Sequence, residues 1–231
     1  MSDLIHKVTT ELLRFGADIV GFGYLDELPG EVREGLPVGI SVAVLYPKGV
    51  IQGISELPTQ EYYEWYNKLN ERLDIIVTRG ADMLCNMGYK AVAQTREYVG
   101  EVEYNTTLPH KTVATRAGIG WIGKNALLVT DEYGSALRLS SILTNAPLST
   151  SHPINKSRCG DCMVCTNACP AGAVLGKLWE VGLYRDEFFD PVKCRTTACE
   201  RAKLGFGGDR PICGKCIEIC PYTERYITQR E

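Results

Sequence analysis

Nothing in this sequence approaches the roughly 20 consecutive apolar residues that a helix needs to cross a bilayer, so no membrane span is expected. The opening, Met1-Ser2-Asp3-Leu4-Ile5-His6, lacks both a basic stretch and a long apolar one and does not read as a signal peptide. A cytoplasmic location is the expectation, and there thiols stay reduced. Positive charge is also in short supply: 25 Lys and Arg against 28 Asp and Glu leave a formal net charge of -3. That balance offers a polyanion no general attraction, although a local basic patch is compatible with it. The N-terminal part shows no internal repeat, and no low-complexity tract occurs anywhere. Cysteine is nearly missing before residue 159, where Cys85 stands alone among ten.

The 231 residues suffice for one large domain or two small ones, and 45% hydrophobic with 23% charged residues is ordinary for a globular chain. The cysteine distribution divides the sequence into residues 1–150 and 151–231, joined by the Ser-, Thr-, Pro- and Asn-bearing segment Leu148–Ser157. In the first part Ser2 caps a helix to about Phe15, with Leu4, Ile5, Val8, Leu12 and Leu13 on its apolar face. Asp18–Tyr24 and Val38–Tyr46 read as strands, the second too apolar for an exposed edge. Pro58-Thr59 opens a helix to about Met87, and Tyr89–Gln94 reads as another strand. Ala126–Thr130 and Ala136–Thr144 are expected to form a hairpin around Asp131-Glu132-Tyr133-Gly134-Ser135. Mixed helices and strands make this part α/β or α+β, while the second should be short helices and loops wrapped around metal.

That metal is iron. Cys159-x2-Cys162-x2-Cys165-x3-Cys169-Pro170 is the bacterial ferredoxin run for a [4Fe–4S] cluster. Three closely spaced thiolates reach three irons of one cube, and the fourth cysteine, carried away beyond the loop, reaches a second. A second run, Cys213-x2-Cys216-x3-Cys220-Pro221, has its first member displaced upstream to Cys194. Swapping between runs gives Cys159, Cys162, Cys165 and Cys220 for one cluster and Cys169, Cys194, Cys213 and Cys216 for the other. Structural zinc is the alternative, but zinc sites are usually built from two separated pairs. Cys199 is spare: it either replaces Cys194 or is a packed or solvent-facing thiol. Cys85, in an apolar pattern with Ile75, Ile76, Met83 and Leu84, reads as a small buried hydrophobe.

The other dense segment is Arg116-Ala-Gly118-Ile-Gly120-Trp121-Ile122-Gly123-Lys124-Asn125. Its glycines permit close approach of the backbone to something else. Gly118, Gly120 and Gly123 have the G-x-G-x-x-G spacing, but a strand rather than a helix follows, so the nicotinamide context is missing. A P-loop fails because Gly123-Lys124 precedes Asn125.

This segment, Glu132-Tyr-Gly134, the Leu139–Thr144 strand and the double cysteine run resemble the epoxyqueuosine reductase family, in order and spacing from about residue 1 to 222. The resemblance implies a nitroreductase-like, cobalamin-binding α/β domain followed by a ferredoxin-like double-cluster domain, α+β in all. It implies that electrons from a donor such as ferredoxin or flavodoxin pass through the clusters to cobalamin, which reduces a substrate the sequence does not identify. Arg116, Gly118, Gly120, Trp121, Ile122, Gly123, Lys124 and Asn125, with Leu139, Ser140, Ser141 and Ile142, would then line the corrin, largely through backbone groups. Without an Asp-x-His-x-x-Gly motif, no histidine lower ligand of that type is expected. The family carries a catalytic aspartate about a dozen residues before the equivalent of Arg116, whereas this chain reads Glu101-Val-Glu103-Tyr104-Asn105. Glu103, Tyr104 and His110 are therefore the proton-donor candidates, with core packing the other reading of Tyr104. The sequence runs only ten residues past Pro221, so a short form without the family's C-terminal extension is expected. That shortness and the acidic balance weigh against a tRNA substrate. Epoxyqueuosine reduction on tRNA, a non-catalytic electron carrier and a corrinoid-protein reductase are the other readings.

Overall fold

The computed structural model describes residues 2–99 and 105–229, apart from the side chain of Ser2. In chain order the elements begin with helix α1 (Ser2–Arg14), strands β1 (Ile19–Tyr24) and β2 (Val38–Leu45), and helices α2 (Lys48–Gln52) and α3 (Gln60–Asn86). Then come β3 (Ala91–Gln94), α4 (Arg96–Val99), α5 (His110–Arg116), β4 (Trp121–Ile122), β5 (Leu128–Val129) and β6 (Leu137–Thr144). The C-terminal part holds α6 (Val164–Asn167), α7 (Pro191–Phe206), α8 (Lys215–Glu218) and α9 (Pro221–Thr228). This is an α+β chain.

Two compact units interleave along the sequence. The first comprises residues 1–44, 68–119 and 138–154; the second comprises 45–67, 120–137 and 155–231. Two segments of the first 150 residues thus pack with the cysteine-rich part.

The first unit is a four-stranded sheet in the order β1-β2-β6-β3, with β1 antiparallel to β2 and β3 antiparallel to β6. The apolar run of β2 fits its interior place, since seven of its eight residues are buried. On one face lie α1 and α3: Gly80 of α3 leaves room for the side chains of Ile142 and Leu12. Val8 and Leu12 of α1 are fully buried, each contributing roughly 1.5–3 kcal/mol. Leu13, expected on the same face, is instead 46% exposed, because one residue turns a helix by about 100° and carries it off the stripe. On the other face α5 lies against β1, where a Cβ at Gly23 would fall 2.7 Å from the backbone of Ala117. Leu25, Leu36, Leu108, Val113 and Leu143 form the core beneath it.

The hairpin expected between Ala126–Thr130 and Ala136–Thr144 does not form. β5 pairs antiparallel with β4, while β6 joins the sheet beside β3; the Thr130–Gly134 bridge closes only the turn between the two segments. Two paired residues are too few for an alternation pattern to identify their partner. Gly134 is held elsewhere, for its α-carbon is packed against the Thr223 backbone and hydroxyl at a φ of 56°.

The second unit is built from short pieces. α7 has Asp190 as N-cap, accepting from the Lys193 N–H at 3.0 Å, Pro191 in its first turn and Gly207 in left-handed conformation as its stop. α6 and α8 are single turns inside the two cysteine runs and carry Cys165 and Cys216. Tyr62 and Leu69 of α3 are buried, whereas Tyr63 stacks on Phe206 at 5.4 Å and 17°. Among the described residues no helix is long and apolar enough to cross a membrane.

Candidate metal centre

The cysteines of the second unit gather into two sets that cut across the sequence runs. Burial, reinforced by Cys159, Cys220 and Cys162, pushes the Cys165 thiol up to about 11. Burial also raises Cys220, against backbone N–H bonds from Thr223 and Tyr222, with Cys159 and Cys162 adding to the rise. These four side chains line one cavity together with Lys124, Asn125, Val129, Pro221 and Tyr222. The second set appears in the same way: burial, then Cys169 and Cys213, push Cys194 up to about 11. Cys216 is driven well up by burial, with Cys194 and Cys213 next in effect. Its lesser neighbours include Cys165 of the first set and Cys169, so the two sets adjoin.

Such thiols do not ionise together in a dry site, and a cationic metal that draws the proton off each sulfur resolves the conflict. One metal ion does not suit them. Among the described residues no group of three or more His, Cys, Asp or Glu side chains converges tightly enough to hold a single ion. Zinc at about 2.3 Å from each sulfur would need such convergence, whereas a cube presents a separate iron to each thiolate. Sets of four adjoining cysteines therefore fit two [4Fe–4S] clusters. Cys169 and Cys213 act on Cys194, and Cys199 is not among the groups that act on Cys194 or Cys216.

Secondary structure brings in the distant cysteines. Cys220 is the N-cap of α9, with Pro221 in the first helical position. Cys194 rides the first turns of α7, and Cys169 accepts from the Ala173 N–H at 3.3 Å.

The glycine-rich stretch serves the protein's own backbone. A Cβ on Gly118, which has a φ of 69°, would sit 2.8 Å from the His152 carbonyl oxygen, and one on Gly120 would sit 2.2 Å from that of Val129. Within the second unit its side chains turn to the cluster loops. Trp121, fully buried, donates through Nε1 to Cys159 Sγ at 3.5 Å. Lys124 Nζ donates to the Cys162 carbonyl at 3.0 Å, and Asn125 Nδ2 to the Cys216 carbonyl at 3.3 Å. Ile122 and Gly123 are buried beside them. In the first unit Arg116 pairs with Glu27 and donates to the Ile154 carbonyl at 3.1 Å. Ser140 donates to the Gln94 carbonyl at 2.9 Å, Ile142 enters the α1–α3 core, and Leu139 stays half-buried. None of these side-chain roles was visible in the sequence, because each depends on a partner more than twenty residues away.

Of the proton-donor candidates, Glu103 and Tyr104 lie outside the described residues. His110 opens α5, half-buried, with Nδ1 3.2 Å from Ser141 Oγ. Burial, and then the Arg138 guanidinium, push it down to about 4, against the opposing pull of Asp74. It is a neutral imidazole at pH 7. Because protonation is harder in the folded chain than at the ordinary value of 6.5, its stabilising contribution is complete above that value and is lost as pH falls toward about 4. From pH 7 to pH 5 the wild type should lose about 2 kcal/mol more than His110→Asn in urea unfolding. Equal losses would contradict this. Cys85, expected to be buried, is exposed, with Sγ 3.7 Å from the Ala91 carbonyl.

With this geometry in place, residues 152–175 match the family described as the 4Fe-4S binding domain. Epoxyqueuosine reductase of Listeria monocytogenes is 31% identical over 199 residues, which cover 79% of this chain and 47% of that one. The chain is a relative of the epoxyqueuosine reductases. That of Synechocystis is 32% identical over 142 residues, 58% of this chain and 44% of its own. The chain thus spans about half the length of these curated relatives. Among solved structures, an epoxyqueuosine reductase with a tRNA-Tyr epoxyqueuosine-modified stem loop aligns at TM-score 0.63 and 20% identity, over 96% of this chain and 66% of that one. Catabolic reductive dehalogenase NpRdhA aligns at TM-score 0.68 and 18% identity, over 94% of this chain and 31% of that one. At these identities the likeness is one of fold: epoxyqueuosine reductases, reductive dehalogenases and this chain share it.

Proposed function

We propose that this chain is an iron–sulfur reductase that passes electrons through its two clusters to a bound cobalamin, and from there to a substrate. The observation that carries the proposal is the pair of four-cysteine sets, which interlock two one-electron centres side by side in a single unit. The fold supports it, because it is shared with a dehalogenase structure put forward to explain B12-dependent dehalogenation.

Cobalamin, when bound, supplies a cobalt centre that accepts electrons and hands them on. The buried side chains of the glycine-rich stretch and of Ser140, Ser141 and Ile142 are already engaged inside their own units. Of the candidate residues and their neighbours in the first unit, Gly118, Ile119 and Leu139 remain partly exposed. These suit a flat, amide-bearing ring that is met by peptide groups and apolar contact, and under this reading they hold it. His110, neutral and bonded to Ser141, then orients or relays a proton and does not serve as a standing acid.

Lys193, Arg195 and Lys203 lie exposed on α7, the helix that carries Cys194. They offset the negative charge of the second cluster and offer an acidic donor such as ferredoxin or flavodoxin a point of approach.

The test is anaerobic incubation of cluster-loaded protein with cobalamin, followed by gel filtration and visible and spin-resonance spectra. Corrin absorption that stays with the protein, and a cobalt signal that changes on reduction, are the expected results. Cluster absorption alone would leave an electron carrier and overturn the proposal. A second reading, reduction of epoxyqueuosine in tRNA, is favoured by the likeness to the tRNA-bound reductase; conversion of the modified nucleoside by the reduced holoprotein would establish it.

A further inference from the structure

Lys124 is a buried cation without an anion. It is 4% exposed, its ammonium meets only the Cys162 carbonyl and, at 3.4 Å, Met163 Sδ, and among the described residues no carboxylate pairs with it. A buried ammonium costs several kcal/mol unless an opposite charge lies near. It lines the cavity of Cys159, Cys162, Cys165 and Cys220, and a cube held by four thiolates carries net negative charge that grows on reduction.

Trp121 acts on the same site. Its indole N–H points at Cys159 Sγ, and the ring is held from both sides. Tyr222 packs edge-on at 5.0 Å and 75°, while the Arg158 guanidinium stands 5.5 Å over the ring. The Cys220 thiol sits at the N-terminus of α9, where the Tyr222 and Thr223 N–H groups work against the upward push of burial. At the other set the Ala173 N–H donates to Cys169.

We propose that Trp121 and Lys124 are positioning residues that raise the reduction potential of the Cys159/Cys162/Cys165/Cys220 cluster above that of its neighbour, making it the electron sink of the pair. Donors and cations aimed at a cluster's sulfurs favour the reduced state, where the sulfurs hold more charge. The inference rests on the two-cluster reading but not on cobalamin.

The experiment is a spin-resonance redox titration of cluster-loaded wild type, Trp121→Phe and Lys124→Gln. Trp121→Phe keeps the ring and removes the donor. It should lower the potential of one cluster by about tenfold in reduced-to-oxidised ratio at fixed poise, ~59 mV for a one-electron couple, and leave the other unmoved. Lys124→Gln should shift the same cluster in the same direction. An unmoved potential in Trp121→Phe, or equal shifts in both clusters, overturns the inference; wild type without iron and sulfide overturns the cluster reading instead. Should either variant fail to assemble, the wild type with isotope-labelled indole nitrogen decides. Coupling of one indole to a reduced cluster supports the assignment, and its absence contradicts it.

Discussion

Replacing Cys220 with alanine should remove about half of the iron and sulfide from the anaerobically purified protein, although Cys159, Cys162 and Cys165 all remain. Each cube takes four thiolates, and the fourth for this one comes from the start of α9. The loss also frees the first turn of that helix, where Cys220 stands as N-cap, so the C-terminal segment should loosen as measured by proteolysis. Cys169→Ala should cost a similar share, this time from the other cluster. Cys199→Ala should cost none, because that thiol acts on neither Cys194 nor Cys216. Full iron in Cys220→Ala, or half in Cys199→Ala, would contradict the crossed wiring.

A single methyl group on Gly120 should destabilise the protein by about 3 kcal/mol or more. The added Cβ would lie 2.2 Å from the Val129 carbonyl oxygen, which is backbone and pinned by the β4–β5 pairing. The neighbouring strand must shift, and with it Trp121, whose indole bonds to a cluster ligand. For a chain of this size the melting temperature should fall by roughly 6–12 °C. Gly49→Ala is the contrast: it lies in α2 with nothing within 4 Å of its would-be Cβ. There the substitution should be neutral or stabilising by about 0.4–1 kcal/mol. Similar melting temperatures for the two variants would refute the packing account of the glycine-rich stretch.

Local features were legible before any coordinates. The 2-2-3 spacing with its following proline identifies iron–sulfur ligands because all the geometry is contained in a dozen residues. The periodicity of α1 and the unbroken apolar run of β2 likewise encode their own environment. What depends on distant partners was hidden. The short β5 strand carries too few residues to say that it pairs with β4 and not with β6. Gly118 and Gly120 announce a close approach, but their sequence does not reveal that His152 and Val129 are what approach. Lys124 and Asn125 look like ligand-binding groups until the loops they grip, at Cys162 and Cys216, are brought to them. Cys85 follows an apolar pattern yet lies on the exposed side of its helix, a matter of a few tens of degrees of rotation. Cys194 and Cys199, five residues apart on α7, look alike in the sequence; it is Cys194 that stands near Cys169 and Cys213.

The most direct test is joint measurement of iron, acid-labile sulfide, zinc and the spin-resonance spectrum of anaerobically purified, dithionite-reduced protein. Two adjoining four-iron cubes predict equal iron and sulfide, little zinc, and a spectrum broadened by coupling between two reduced centres. Zinc without sulfide, or a single isolated cluster signal at half the iron content, would contradict the account.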